Sequence, residues 1–201
     1  MTITDIQSLR ELYGLPGERA SKKELAVLDR HMTDFVALSP FLVVSSYSAE
    51  GTVDASPRGG QPGWVTVLSE NEVLIPDFKG NNRLDTLTNI VETGRIGLLF
   101  LIPGVNETLR INGKAVITLD SQYLEQCTYQ NHPPKTCILV TVEQAFLHCA
   151  KALMRSQLWE VGMQVERSVL PTMGQMLRDQ IGGNTPLETQ EAMEARYRKD
   201  L

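Results

Sequence analysis

The central part of the chain, residues 72–118, reads EVLIPDFKGNNRLDTLTNIVETGRIGLLFLIPGVNETLRINGKAVIT. Three runs in it are rich in β-forming residues, and one run between them repeats apolar side chains at helical spacing. The helical run covers 82–93, and Gly94 after it is typical of a helix C-cap. The predicted strands are 72–76, 95–102 and 108–118. This stretch therefore predicts a strand, an inserted helix and two further strands.

The same strand pattern continues on both sides of the central stretch. Further strands are predicted at 41–48, 52–56, 64–69 and 137–146. Residues 1–39 and 149–201 carry apolar residues at helical spacing, so helices are expected at both ends. The 201 residues are expected to form a single domain with these two helical extensions. The predicted fold class is α+β, a closed or nearly closed antiparallel barrel of six or seven strands with one inserted helix.

Composition and charge exclude several classes of protein. The net charge of −5 gives no sign of a general nucleic-acid surface, which needs clustered basic residues. The longest apolar run, 96–103, is far shorter than the roughly 20 residues that span a bilayer. The N-terminus lacks a basic start followed by an apolar run, so no signal peptide is expected. We therefore expect a cytoplasmic protein without a nucleic-acid or membrane partner.

The cysteines and histidines give no metal-ligand pattern. There are three of each, and they are widely spaced along the chain. They are Cys127, Cys137, Cys149, His31, His132 and His148. Without a C-x-x-C pair or a closer cluster of ligands, the expectation is three thiols, no disulfide and no metal site.

The loop before the inserted helix is the first candidate site. It reads Lys79-Gly80-Asn81-Asn82-Arg83, and Asn81 or Asn82 is a good helix N-cap. A helix start offers free backbone N–H groups and a partial positive charge, to which Lys79 and Arg83 add full charges. These features suit a phosphate group. A capped surface helix with two solvated cations would have the same sequence, so both interpretations stay open.

Two arginines on predicted strands are weaker candidates. Arg58 lies in SPRGG (56–60), where it either covers a planar or anionic ligand or is exposed on a tight turn. Arg110 shares one strand face with Asn112, and that face either lines a ligand crevice or contacts water.

The segment HCAKALMRSQLW (148–159) is the last candidate. If it is helical, Lys151, Arg155 and Trp159 lie at i, i+4 and i+8 and form one stripe. Such a stripe can contact a phosphate and a flat ring, or it can be a solvated face with one half-buried tryptophan.

Fingerprints of several other enzyme classes are missing. The chain contains no G-x-G-x-x-G, no P-loop and no G-x-S-x-G. No pair of carboxylates stands out as an acid–base couple. The basic and amide residues therefore favour a site that holds an anion over a site with a side-chain nucleophile.

Four stretches carry a resemblance to a known family. They are SPRGGQPGWV (56–65), VLIPDFKGNNRLDTLTNIVETGRIGLLFLIPG (73–104), LRINGKAVIT (109–118) and FLHCAKALMRSQLW (146–159). Together they resemble the pyridoxamine 5′-phosphate oxidase-like, flavin mononucleotide (FMN)-binding split β-barrel family over residues 41–159. The resemblance is to a bacterial subgroup of that family and not to the biosynthetic oxidase itself.

The resemblance implies a split β-barrel, an FMN cofactor and an oxidoreductase that acts on a small molecule. The cofactor-binding residues that it implies are Arg58, Lys79, Asn81, Asn82, Arg83, Arg110, Lys151, Arg155 and Trp159. Lys79 and Arg83 would hold the flavin phosphate with the helix start. Arg58 would lie along the ring or the ribityl chain, and Arg110 would support phosphate or ring from the adjacent strand.

The resemblance also implies a homodimer with two flavins at the subunit interface. Lys151, Arg155 and Trp159 would then approach each flavin from the partner subunit. Catalysis would need little side-chain acid–base chemistry, because the flavin itself accepts the hydride.

Other functions stay open within the same resemblance. The biosynthetic oxidase carries an arginine- and leucine-rich strand motif ending in lysine, whereas residues 57–68 read PRGGQPGWVTVL. Oxidation of vitamin B6 is therefore not expected. The alternative to an oxidoreductase is a non-catalytic module that binds or sequesters flavin, deazaflavin or haem, with His148 as a candidate haem ligand.

Overall fold

The computed structural model describes residues 2–129, 132–183 and 188–199. The strands are β1 (Phe41–Tyr47), β2 (Val53–Gly59), β3 (Thr66–Ser69), β4 (Glu72–Asp77), β5 (Arg95–Leu101), β6 (Thr108–Thr118) and β7 (Thr136–His148). The α-helices are α1 (Ile6–Tyr13), α2 (Glu18–Lys22), α3 (Arg30–Leu38), α4 (Asp85–Thr93), α5 (Ser121–Gln126), α6 (Lys151–Ser156), α7 (Met173–Ile181) and α8 (Gln190–Tyr197). Two short 3₁₀ helices lie between α6 and α7.

All these strands form one antiparallel sheet in the order β2-β1-β5-β6-β7-β4-β3. The longest ladder joins β6 and β7, so that Thr108 pairs with His148 at one end and Thr118 pairs with Cys137 at the other. Helix α4 is inserted between β4 and β5, as predicted. The α+β split β-barrel class predicted from the sequence is thus confirmed, with seven strands.

Alternating burial along the strands builds the core. In β1, Leu42 and Val44 are fully buried, whereas Phe41 and Tyr47 are exposed. Successive side chains of a strand point to opposite faces, so this alternation places one face of the sheet on the core. The inward side chains of the strands pack with the apolar faces of α3 and α4 in one cluster.

The N-terminal helical region is interrupted before α3. Leu25 forms an isolated β-bridge with Ala145, with N···O distances of 3.0 and 2.7 Å, and so ties this region to β7. Helix α3 begins after Asp29, whose carboxylate accepts a hydrogen bond of 2.8 Å from the backbone N–H of Met32. An aspartate in this position stabilises the first turn of a helix.

The structure divides into two compact units, residues 1–155 and 156–201. In the second unit, Thr172 caps α7 and Thr189 caps α8. The Arg196 guanidinium pairs with the Glu188 carboxylate at 2.9 Å, which joins α8 to the segment before it. A single flavin-binding domain over the whole chain stays a prediction, because the boundary between the units falls within the predicted extension 149–201.

Candidate functional site

A cavity of about 740 Å³ opens where β2 and β4 end and where β7 and α4 begin. Three stretches line it, 56–59, 76–87 and 135–136, together with Trp64. The predicted site residues among them are Arg58, Lys79, Asn81, Asn82 and Arg83. The volume lies in the range of small-molecule and cofactor sites. The fold therefore brings Arg58 to the predicted loop cluster from a distant part of the chain.

The loop between β4 and α4 differs from its predicted form. Helix α4 begins at Asp85 and not at Asn82, and its N-cap is Leu84, which makes no side-chain cap. Asn82 and Leu84 both adopt positive φ angles, 60° and 62°. The Asn81 side chain instead accepts a hydrogen bond of 3.1 Å from the backbone N–H of Arg83. The asparagines thus shape a tight loop in front of the helix, and the predicted N-cap at Asn81 or Asn82 is wrong.

Both arginines of the cavity face carboxylates. The Arg58 Nε lies 3.5 Å from an Asp77 carboxylate oxygen, and the Arg83 Nε donates to Asp85 at 2.9 Å. Burial raises the pKa of the Asp77 carboxyl, although the positive charges of Arg58 and Lys135 act in the opposite direction. The cavity lining therefore combines four cations with two carboxylates, Asp77 and Asp85, and keeps a surplus of positive charge.

Two buried polar atoms at the cavity have no hydrogen-bond partner among the described residues. They are the indole N–H of Trp64 and the hydroxyl of Thr136. Buried polar groups are nearly always paired, so these two are suited to bond a molecule in the cavity. Gly60 permits this position of the indole, because a Cβ there would lie 2.6 Å from Trp64 Cγ.

Helix α4 is held against the sheet by buried polar contacts. The Thr86 hydroxyl donates to the Asp54 carboxylate at 2.6 Å, and Ser56 donates to the same carboxylate at 3.1 Å. One turn along α4, the Asn89 amide donates to the Ser46 hydroxyl at 2.9 Å. Thr86 and Asn89 are both buried. These bonds fix the start of α4, and with it one wall of the cavity.

Gly94 ends α4 as the sequence predicts. It adopts a φ of 65°, and its N–H donates to the carbonyl of Ile90 at 2.8 Å. Glycine takes this left-handed conformation without steric cost. The helix is therefore held at both ends, by the Thr86 contact at its start and by this cap at its end.

Arg110 does not line this cavity. Its guanidinium lies 5.4 Å from the centre of the Phe146 ring, next to His148 at the opposite end of β7 from Thr136. A second cation, Lys23, lies 5.1 Å from the same ring. Within one chain, Arg110 therefore belongs to a different group of side chains from Arg58 and Lys79.

The predicted stripe of Lys151, Arg155 and Trp159 on one helix is wrong. Helix α6 ends at Ser156, and Gln157 adopts a positive φ of 52°, so Trp159 lies beyond the helix. Lys151 and Arg155 are exposed at i and i+4 on α6. The left-handed residue ends the helix in a place without glycine or proline, which is why helical spacing alone could not show it.

The lining residues that sequence reasoning missed include Trp64, Asp77, Lys135 and Thr136. Asp77 ends β4 directly before the predicted loop cluster, and this position could have indicated it. Lys135 and Thr136 reach the cavity through the pairing of β4 with β7, in which Asp77 lies opposite Thr136. That pairing joins residues almost sixty positions apart, so no local pattern predicts it.

The chain matches a known protein family. The family model described as pyridoxamine 5′-phosphate oxidase matches residues 28–149, more than half of the chain. The chain belongs to the pyridoxamine 5′-phosphate oxidase family. The matched region contains every strand of the sheet and the whole lining of the cavity, so the cavity lies within the part that family members share.

Three solved structures are similar to this chain at low sequence identity. HupZ from Group A Streptococcus is 18% identical with a TM-score of 0.50, and the match covers 60% of this chain and 93% of HupZ. An FMN-binding protein from Syntrophomonas wolfei is 12% identical with a TM-score of 0.47, covering 72% and 97%. An FAD-binding protein from Mycobacterium smegmatis is 12% identical with a TM-score of 0.43, covering 62% and 97%. No curated protein matches this chain.

The described residues contain neither a membrane-spanning helix nor a cluster of metal ligands. Within the residues that the structure describes, no helix is both long and apolar enough to cross a membrane. In the same ranges, no three histidine, cysteine or acidic side chains cluster closely enough to bind a metal ion.

Proposed function

We propose that this protein binds FMN in the cavity and is a flavin-dependent oxidoreductase acting on a small molecule. The observation that carries the proposal is the convergence of Arg58 with the loop 79–83 on one cavity of cofactor size. Lys79, Arg83 and the start of α4 would hold the phosphate. Arg58 would lie along the ring or the ribityl chain.

The unpartnered polar atoms of the cavity support a ligand with acceptors away from its phosphate. The Trp64 indole N–H is a donor only, and the Thr136 hydroxyl both donates and accepts. The ring carbonyls and nitrogens of a flavin, or its ribityl hydroxyls, offer partners for both.

The flavin supplies the redox chemistry when it is bound, because its ring accepts a hydride. The residues of the chain bind and orient it, and the cations of the cavity stabilise negative charge on the ring or the phosphate. Asp77 limits the net positive charge around the ligand by pairing with Arg58. No acid–base pair is needed for this division of roles.

The proposed active form is a homodimer with the cofactor at the subunit interface. Lys151, Arg155 and Trp159 of the partner subunit would complete each site. A contribution of Arg110 to the flavin stays a prediction, since Arg110 lies away from the cavity of its own chain. The free cysteines suit a reducing compartment, and we propose that the protein acts in the cytoplasm.

Binding of FMN and of riboflavin to the purified full-length protein tests the cofactor proposal. Lys79→Ala should weaken FMN by about 10- to 100-fold, because a charged phosphate contact contributes roughly 1.5–3 kcal/mol. It should leave riboflavin nearly unchanged. Arg30→Ala removes an exposed cation far from the cavity and is the matched control. Equal weakening of both ligands by Lys79→Ala would mean that the phosphate binds elsewhere.

Reduction of the bound flavin separates an enzyme from a binding module. The flavin absorbance should bleach when a nicotinamide donor is added without oxygen, and return when air is admitted. Bound flavin that no such donor reduces would favour the carrier. A Soret band in the purified protein would instead assign the site to haem, and a colourless protein that takes up no FMN would exclude the flavin proposal.

A further inference from the structure

A second group of cations lies outside the cavity, at the far end of β6 and β7. It consists of Lys23, Arg110, Phe146 and His148, and we call it the His148 cluster. The Phe146 ring is at its centre. The two cations lie 5.1 and 5.4 Å from the ring centre, and the His148 ring lies 4.9 Å from it. Three elements of the fold therefore bring three nitrogen-bearing side chains to one aromatic ring.

Not all hydrogen-bonding groups of this cluster are paired. The Nε2 atom of His148 is buried and has no hydrogen-bond partner among the described residues. The Lys23 ammonium donates one bond, of 2.7 Å, to the carbonyl of Leu147, and an ammonium has three hydrogens to donate. Arg110 stacks near the ring and forms no ion pair with any carboxylate in the described part of the chain.

The pKa of His148 reflects the same excess of positive charge around its ring. Burial lowers the pKa of the imidazole, and the nearby charges of Arg110 and Lys23 lower it further. Burial and the neighbouring charges thus favour the neutral imidazole, and its buried Nε2 lies in a group of cations that has no counter-charge among the described residues. Lys23, Arg110 and His148 thus surround one aromatic ring, and no carboxylate of the described residues pairs with the two cations.

The cluster is separate from the flavin cavity within one chain. Strand β7 has 13 residues between the cavity end at Thr136 and the cluster end at His148. At about 3.3 Å per residue, the two ends are about 40 Å apart along the strand. None of the four cluster residues lines the cavity.

We propose that the His148 cluster is a binding site for a small oxyanion, the phosphate or carboxylate group of a ligand, held by Lys23, Arg110 and His148. This goes beyond the proposed function, because neither the flavin nor its phosphate is required for it. The ring of Phe146 attracts both cations, whose charged groups lie 5.1 and 5.4 Å from its centre. Charged donors bind oxyanions more strongly than neutral ones, and a site of this kind is sensitive to salt.

Proton NMR of the histidine ring hydrogens in the full-length protein tests the proposal. The pH titration of His148 is measured in sodium chloride and in sodium phosphate at equal ionic strength, with His148→Gln to assign its signal. A bound anion favours the charged imidazole, so phosphate should raise the pKa of His148 by about one unit. His31, exposed on α3, is the internal control, and its ring signals should not depend on which anion is present. A parallel series in acetate shows which oxyanion group the site prefers, and a rise with either anion supports it.

Matched variants on β6 assign the effect to the cluster. Arg110→Gln should abolish most of the phosphate-dependent rise. Lys114→Gln should not, although it removes the same charge from the same strand, because Lys114 faces Glu143 instead. The proposal is overturned if phosphate and acetate leave the His148 titration unchanged, or if Arg110→Gln keeps the full rise. A rise with FMN but none with inorganic phosphate would also overturn it, since the cluster would then serve the cofactor.

Discussion

The flavin cavity and the His148 cluster both gather cations, but they balance them differently. In the cavity, Arg58 and Arg83 each face a carboxylate of the same chain. In the His148 cluster, Lys23 and Arg110 lie against an aromatic ring, and no carboxylate among the described residues pairs with them. Carboxylates therefore offset part of the positive charge in the cavity, whereas no ion pair does so among the described residues of the His148 cluster.

This difference determines which ligands each region can bind. Because carboxylates offset part of the positive charge of the cavity, binding there also depends on oriented groups such as the Trp64 indole, the Thr136 hydroxyl and the start of α4. Such a site suits a large ligand with several polar groups. An unbalanced cluster suits a small anion, whose binding weakens as salt screens the charges. The two regions should therefore respond to different substitutions.

The largest expected effect is at the wall of the cavity. Thr86→Val removes the hydroxyl that donates to Asp54, with little change of volume. A hydrogen bond to a charged group contributes roughly 1.5–3 kcal/mol, so the free energy of unfolding should fall by about that amount. The start of α4 should loosen and FMN binding should weaken. The response of His148 to phosphate should not change, because Arg110 and His148 lie on the paired strands β6 and β7 and not on α4.

Urea unfolding and FMN titration of the same variant measure both effects. Thr88→Val, on the exposed side of α4, is the matched control and should alter neither quantity. If Thr86→Val lowered the stability but left FMN binding intact, the start of α4 would not be a wall of the binding site.

The next effect in size concerns the indole of Trp64. In Gly60→Ala the new Cβ would lie 2.6 Å from Trp64 Cγ, so the indole must move. Overpacking of this kind costs about 1–3 kcal/mol, and FMN and riboflavin should both bind about tenfold more weakly. Gly80→Ala, in the cavity loop, has no atom within 4 Å of its new Cβ and should bind both ligands normally. A selective loss of FMN in Gly60→Ala would place the indole near the phosphate instead.

Local patterns were enough to predict the strands and one end of α4. Runs of β-forming residues and the turn residues between them predicted the strands to within a few positions, and Gly94 ends the helix as expected. The start of the helix could not be predicted in the same way. Leu84 adopts a positive φ, which a bulky side chain rarely takes, and two asparagines nearby are better N-cap residues by type.

The candidate site was predictable where its residues are close in sequence. The loop 79–83 is one motif, and it does line the cavity. Arg58 joins it only through the fold, and Lys135 and Thr136 join through the pairing of β4 with β7. The same long-range pairing places Arg110 beside Phe146 and His148, at the other end of β7. The sequence alone indicated Arg58, the loop 79–83, Arg110 and His148 as candidates, but it did not show that they form two separate groups.

The smallest expected effect tests the charge balance itself. Asp77→Asn removes the carboxylate that faces Arg58 while keeping the shape of the side chain. Without this negative charge in the cavity, FMN should bind a few times more tightly, since a screened charge pair contributes about 1 kcal/mol near 4 Å. Riboflavin, which has no phosphate, should bind as before, and so should phosphate at the His148 cluster. Weaker FMN binding in Asp77→Asn would mean that Asp77 acts mainly by holding Arg58 in place.

The pH dependence of stability gives an independent measure of the same carboxylate. Burial raises the pKa of Asp77 in the folded protein above the ordinary value of 3.8, so the folded state binds this proton more strongly than the unfolded state. As the pH rises from about 4 through the folded-state pKa, that proton is lost and the free energy of unfolding should fall. Asp77→Asn cannot titrate, so its stability should fall less over the same range in urea unfolding at a series of pH values. Parallel pH profiles for the two proteins would show that the positive charges of Arg58 and Lys135 fully offset the effect of burial on the Asp77 pKa.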